Sequence, residues 1–176
     1  MEIWKAFSQQ EVTHSMGHYL QVIRELHQEL GYARVTDIAR RLSLTRGTVT
    51  TSLKPLLQRG LIEKDPNHFV RLTAEGQQAA SRIVATYRIL EYFLSEILGV
   101  GPTTAKVDSC KMEHLLSRES GEALLSLIQF LHSDDPDARR FLKKFQSQYP
   151  TCESTPHEGC PVCEAGSCLI QGKEKE

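Results

Sequence analysis

Arg34-Val35-Thr36-Asp37-Ile38-Ala39-Arg40-Arg41-Leu42-Ser43-Leu44-Thr45-Arg46-Gly47-Thr48-Val49 is the stretch whose reading decides the fold. Arg34-Val35 reads as a short extended link. Thr36-Asp37 is predicted to cap a short helix that turns Ile38, Ala39 and Leu42 inward. Leu42-Ser43-Leu44 is too short for anything but a tight connection, and Thr45 can cap a third helix, 46 to 59, with Val49, Leu53, Leu56 and Leu57 on its apolar side. Pro55 inside that helix should weaken or kink it near residues 51 to 54. The pattern nevertheless runs on to Arg59-Gly60, a good C-terminal stop.

The flanks extend the order. Upstream, Val12, Met16, Tyr19, Leu20, Ile23, Leu26 and Leu30 recur at helical spacing across residues 10 to 30, and Gly31 stops them. Downstream, Leu61–Lys64 and Phe69–Leu72 are two strand-like runs around Asp65-Pro66-Asn67-His68, which is turn chemistry. Thr73 then caps a long helix, 74 to 98, whose inward face is Ala79, Ile83, Val84, Tyr87, Leu90, Leu94 and Ile97. Gly99-Val100-Gly101-Pro102 ends it. Three more helices are expected over about 103 to 117, 120 to 132 and 136 to 148. Phe141, Phe145 and Tyr149 form a stripe on the last that suits a core or a dimer interface better than a cofactor box. No internal repeat is visible.

Helix, helix, tight turn, helix, hairpin is the order of a winged helix-turn-helix. The fold class is therefore mainly α, with this winged unit over residues 1–73, an all-helical unit over 74–150, and a cysteine-rich tail over 151–176. Thr45, Arg46, Gly47, Thr48, Thr50, Thr51 and Lys54 lie on or open the exposed side of the third helix. Hydroxyls, a guanidinium and a glycine that lets the backbone approach suit phosphates and base edges of double-stranded DNA. His68 and Arg71 on the hairpin would lie near the adjacent backbone. Charge supports this: residues 34 to 71 hold eight Lys/Arg against three Asp/Glu, a balance of +5 inside a chain of net −1. The bland alternative is a solvated face on a winged fold used for protein contacts.

No apolar run approaches the length needed to span a bilayer. Met1-Glu2-Ile3-Trp4-Lys5 lacks the basic and apolar regions of a signal peptide, so a cytoplasmic protein without a membrane partner is expected.

Cys110-Lys111-Met112-Glu113-His114 adds a second chemistry. On a helix, positions 110, 113 and 114 share one face, and thiolate, carboxylate and imidazole together suit a divalent transition ion. The competing reading is a small packed Cys, a surface Glu and a packed His. An enzyme using Cys110 as nucleophile and His114 as base is disfavoured, because no oxyanion donors or substrate pocket accompany the pair.

With reader and metal motif in one chain, residues 10 to about 132 resemble the diphtheria-toxin-repressor family of metal-dependent regulators. The resemblance is carried by Ser15-Met16-Gly17-His18-Tyr19-Leu20, by Gly31-Tyr32-Ala33-Arg34-Val35-Thr36-Asp37-Ile38-Ala39, by Leu72-Thr73-Ala74-Glu75-Gly76 and by Cys110 to Ser117. The manganese-regulator branch has the most similar architecture. The resemblance implies a site of His18, Cys110, Glu113 and His114, a homodimer whose helical unit binds metal and dimerises, and repression of metal-uptake genes when metal is plentiful. Two imidazoles, a thiolate and a carboxylate suit Fe(II), Co(II), Ni(II) or Zn(II) better than Mn(II). Gln21 also stands where the manganese branch has an acid. His14, one turn before His18, reads as a surface residue and only a weaker alternative ligand. Tyr87 and Lys106 replace histidines of the family's ancillary metal position while Glu91 is retained, so a single-metal sensor is expected.

Four of the five cysteines form Cys152-x7-Cys160-x2-Cys163-x4-Cys168, which is foreign to the family core. A segment with so few apolar residues cannot bury a core of its own. Four thiolates can hold an iron–sulfur cluster or, alternatively, zinc. The competing function is thus an iron–sulfur or redox-sensing regulator whose tail carries the signal.

Overall fold

A computed structural model of the chain describes residues 12–147. Seven α-helices and one two-stranded sheet follow one another in these residues: α1 His14–Leu30, α2 Val35–Arg41, α3 Arg46–Gln58, β1 Ile62–Lys64, β2 Val70–Leu72, α4 Ala74–Tyr92, α5 Pro102–Met112, α6 Arg118–Leu131 and α7 Pro136–Ser147.

Two of the three N-terminal caps expected from the sequence, Thr45 and Thr73, are made; the third is an exception. Thr45 Oγ1 accepts from the Thr48 amide at 3.2 Å, and Thr73 Oγ1 accepts from the Gly76 amide at 3.1 Å. Gly31 ends α1 in the left-handed conformation at φ 78°. The exception is α2. Its cap is Arg34, with no side-chain bond, and Thr36 and Asp37 lie inside the first turn. Asp37 still favours the positive end of the helix dipole from there. Helix α3 runs through Pro55 to Gln58. The missing amide deprives the carbonyl of Thr51, but Thr51 is exposed and water can take its place.

Between α2 and α3 the chain reverses on Ser43, which adopts φ 54°, while the Leu44 amide donates to Ala39 O at 2.9 Å. The wing pairs Ile62 with Leu72 and Lys64 with Val70, antiparallel. Its turn is held by Asp65, whose Oδ1 accepts from the amides of Asn67 and Phe69, both at 2.9 Å. His68 takes φ 61° at the tip. Two bonds fasten the wing to the rest of the reader. The Val70 amide donates to Ala33 O at 2.8 Å, and His27 Nε2 on α1 lies 2.8 Å from Val70 O.

Leu20, Ile23, Leu26, Ile38, Val49, Leu53, Leu56, Ile62 and Val70 form the reader's core, and Ala79, Ala80 and Ile83 from the first half of α4 belong to the same cluster. Leu30, the last residue of α1, was expected on this face but is 48% exposed. A second, smaller core gathers Ile97, Ile128 and Leu131 with Ile89, Phe93, Leu98, Leu124 and Leu142. Helix α4 therefore joins the two cores, and its end is widened into a π-helical segment at Phe93–Ile97. Helix α5 brings little apolar surface; only Ala105 and Ser109 are buried on it. Small residues are what let α5 lie close against α4.

The aromatic stripe of α7 is not core. Phe141 is 61% exposed and stacks on Phe145 at 6.4 Å between ring centroids, and Tyr149 falls outside the described residues.

Candidate metal centre and nucleic-acid interface

Helix α5 stops at Met112, five residues short of the expected end at 117, and Glu113 caps it. Glu113 keeps right-handed helical geometry (φ −54°, ψ −31°), and its amide donates to Ser109 O at 2.9 Å. Cys110 thus stands on the last turn, with Glu113 and His114 at the cap and just beyond. The negative end of a helix dipole, rich in free carbonyls, is a favourable neighbourhood for a cation.

Facing these residues is the first part of α1. His14 and His18 are one turn apart on one face. Cys110 Sγ lies 3.7 Å from His18 Nε2, and His18 Nε2 lies 3.1 Å from His14 Nε2. His14 also leans on His114, at 4.8 Å between ring centroids. Two sets of donors result, His14/His18/Cys110 and His14/Glu113/His114, and within each set all donor atoms lie within 4.8 Å of one another. Of the four residues expected from the sequence, His18 and Cys110 fall in the first set and Glu113 and His114 in the second, and the two sets are linked through His14. His14, read as a surface residue and a weaker alternative ligand, is exposed and stands in both sets. Its i, i+4 relation to His18 was the signal for it, one helical turn apart at a helix start.

Burial shapes the protonation of this cluster. Glu113 is 4% exposed, and burial pushes its carboxyl up to about 7. Burial, then the neighbouring Glu113, raises the Cys110 thiol. Burial, then His14, lowers His18; burial, then His14 and His18, lowers His114. Both shifts favour the neutral imidazole of His18 and His114, which is the ligand form. The acid and thiol are discouraged from ionising without a compensating positive charge. In addition, His114 Nδ1 is buried with no hydrogen-bond partner. An orphaned buried nitrogen among three other soft or borderline donors fits a divalent transition ion. A cleft of about 520 Å³ between α4 and α6, lined in part by Ile83, Ile89, Leu116 and Leu125, reaches Glu113 and His114.

Tyr87 on α4 has its phenol raised by burial first and then by Glu91, to which it hydrogen-bonds, and by Cys110 and Glu113. The phenol thus adjoins the cluster in place of a histidine. Lys106 on α5 is exposed. Cys152, Cys160, Cys163 and Cys168 lie outside the described residues.

The reader surface is separate. Thr45, Arg46, Gly47, Thr48, Thr50, Thr51 and Lys54 are all exposed, as are His68 and Arg71. Part of this set is engaged locally. Thr45 caps α3 and lies 2.9 Å from the Thr48 hydroxyl, Thr50 Oγ1 donates to Arg46 O at 2.8 Å, and Arg71 sits 3.5 Å from Asp65. Among the described residues the Arg46 guanidinium has no partner. None of the described helices is long and apolar enough to cross a membrane.

Comparison with known proteins places this geometry. Residues 73–142 match the family described as "Iron dependent repressor, metal binding and dimerisation domain", and residues 16–68 match the MarR family. The transcriptional regulator MntR of Escherichia coli O6:H1 is 42% identical over 111 residues, covering 63% of this chain and 71% of that protein. The HTH-type transcriptional regulator MntR of Listeria monocytogenes serotype 4b is 33% identical over 138 residues, covering 78% and 96%. Among solved structures, IdeR of T. acidophilum aligns with TM-score 0.52 and 28% identity over 62% of this chain. The manganese regulator SloR aligns with TM-score 0.57 and 27% identity over 64%. The chain spans about half the length of those two solved chains, 52% and 53%. With a winged reader, a donor cluster between α1 and α5, and an MntR relative matched across 96% of its length, the chain belongs to the diphtheria-toxin-repressor/MntR family of metal-dependent transcriptional repressors, non-enzymatic proteins that bind operator DNA as dimers.

Proposed function

We propose that this protein is an Fe(II)-responsive repressor of metal-uptake genes, acting in the cytoplasm as a homodimer. His18 on α1 and Cys110, Glu113 and His114 at the end of α5 would hold the ion. What it supplies when bound is positive charge and a tie between two elements. The observation that carries this reading is the 3.7 Å approach of Cys110 Sγ to His18 Nε2 across 92 positions of sequence. The donor set decides between iron and its competitor. Solved relatives include proteins named for manganese, but a thiolate and imidazoles with a single carboxylate suit Fe(II) better than the harder Mn(II).

The chain's own residues explain how occupancy would reach DNA. Helix α1 carries His18 near its start and Leu20, Ile23 and Leu26 in the reader's core. Fixing its start against α5 fixes the reader relative to α5–α7. One spacing of the two readers in a dimer is then favoured, and that spacing selects two half-sites about one helical turn apart. Arg46 is the side chain proposed to read a base or phosphate. Thr45, Gly47, Thr48, Thr50, Thr51 and Lys54 line the same helix face, with His68 and Arg71 from the wing on the flanking backbone. One family match ends at residue 68 and the other begins at 73, which supports a boundary near Thr73 between units of 1–73 and 74–150, with 151–176 as a tail. An iron–sulfur or zinc role for that tail rests on the spacing of its cysteines alone.

Anaerobic titration with Fe(II) and Mn(II), with acid-labile sulfide assayed in parallel, tests the reading. Tighter binding of Fe(II) than of Mn(II), lost in Cys110→Ser, is expected. Preferential Mn(II) binding unaffected by Cys110→Ser would overturn the iron assignment. Stoichiometric sulfide with a vacant α1–α5 site would favour the tail as sensor.

A further inference from the structure

We infer that His14 is itself a ligand of the ion, and that it makes the site selective for nitrogen- and sulfur-seeking metals. This deepens the reading above and rests on it. The geometry is specific. Two nitrogens bound to one ion at about 2.0–2.1 Å are about 2.8–3.4 Å apart across octahedral to tetrahedral angles, and a nitrogen and a thiolate on a tetrahedral ion are about 3.6 Å apart. His14 and His18 present Nε2 atoms 3.1 Å apart, and His18 Nε2 is 3.7 Å from Cys110 Sγ. Two of the three separations among these donors are already those of ligands sharing one ion, and the third is within 4.8 Å.

His14 is also the residue common to both donor sets, so it links His18 and Cys110 to Glu113 and His114. Its ring meets His18 edge-on at 85° and 4.4 Å, and meets His114 at 4.8 Å. Packed apolar neighbours do not explain this position, since His14 is exposed and opens α1 just after the capping Thr13. With His14 included, the donors number three imidazoles, one thiolate and one carboxylate. Imidazole suits Fe, Co, Ni and Zn, whereas Mn(II) prefers carboxylate, carbonyl and water. A third imidazole therefore raises affinity for the former group more than for manganese. A simple hydrogen bond between two neighbouring imidazoles is the competing explanation of the 3.1 Å contact.

The test uses the full chain, anaerobic, with Co(II) as the spectroscopic probe and a chelator competition for Co(II), Zn(II) and Mn(II). His14→Ala and His14→Gln are compared with wild type and with Cys110→Ser. Glutamine can keep a hydrogen bond to His18 but is a poor ligand. Both His14 variants are expected to lose at least about 10-fold in Co(II) and Zn(II) affinity, to change Mn(II) affinity much less, and to alter the Co(II) d–d bands while retaining the thiolate charge-transfer band. Wild-type spectra and affinities in both variants would overturn the inference while leaving the four-ligand reading intact, provided Cys110→Ser still abolishes the charge-transfer band. No Co(II) binding by the wild type would overturn both. Wild-type affinity in His14→Gln alone would overturn it too, by assigning the contact to hydrogen bonding.

Discussion

Glu113 is the side chain whose chemistry an arriving cation changes most. Burial lifts its carboxyl to about 7, from an ordinary value near 4.5. A raised acid means that the metal-free fold binds more protons than the unfolded chain between those values. Its contribution to stability is therefore greatest below about 4.5 and is lost as pH rises through 7. Glu113→Gln removes that loss. Chelator-treated Glu113→Gln is expected to be more stable than wild type at pH 8, by about 2–3 kcal/mol, and nearly equal at pH 5; urea melts at the two pH values check it. The lowered imidazoles of His18 and His114 act in the opposite sense, gaining stability as pH rises toward 6.5, but they are common to both proteins. Divalent metal should raise the melting point of the wild type and leave the variant nearly unmoved. At the reader, Arg46→Ala is expected to cost about 1–3 kcal/mol of operator affinity with an unchanged melt. Fluorescence anisotropy with labelled DNA measures it.

Among the elements, the junction of wing and α4 is the tightest. A Cβ on Gly76 would stand 1.8 Å from Leu61 O, and that carbonyl also accepts from the Thr73 amide at 3.1 Å. The clash is with backbone and cannot be relieved by a rotamer. Gly76→Ala is expected to cost about 3 kcal/mol or more, seen as a lowered denaturation midpoint. Most elements were legible in the sequence because their signals are local: Thr45 and Thr73 carry cap hydroxyls, Gly31 takes a left-handed φ, and Asp65-Pro66-Asn67-His68 cannot be anything but a turn. The ends of α2 and α5 were not. Arg34 caps α2 without any side-chain bond, and α5 is too poor in apolar residues for periodicity to mark where it stops. The candidate site was half legible for a related reason. Spacing places Cys110, Glu113 and His114 together, but nothing local says which face of α1 they meet. That is decided by α1 lying on α4, where a Cβ on Gly17 would stand 3.3 Å from Ile83 Cδ1, and this packing sets which side of α1 faces α5.

For the molecule as a whole, two cores share α4, and the candidate ion site sits where α1 meets the end of α5. Coupling between metal and DNA needs no long pathway in such a layout, because the same helix that offers the imidazoles is built into the reader. Most of the large exposed apolar side chains lie outside the reader. Leu127, Phe130 and Phe141 on α6 and α7 are 44%, 53% and 61% exposed, inside the region matched to a dimerisation domain. The double variant Phe130→Glu/Phe141→Glu is expected to sediment as a monomer and to lose operator binding while keeping its metal. The central claim is that metal bridging α1 and α5 sets the reader for DNA. Its most direct measurement is anaerobic operator affinity, using a double-stranded fragment selected from genomic DNA by the metal-loaded protein, with Fe(II) and with chelator, for wild type and Cys110→Ser. At least about 10-fold tighter binding of the wild type with Fe(II), and no such difference in Cys110→Ser, is the predicted result. Equal affinity of the wild type with Fe(II) and with chelator would contradict it.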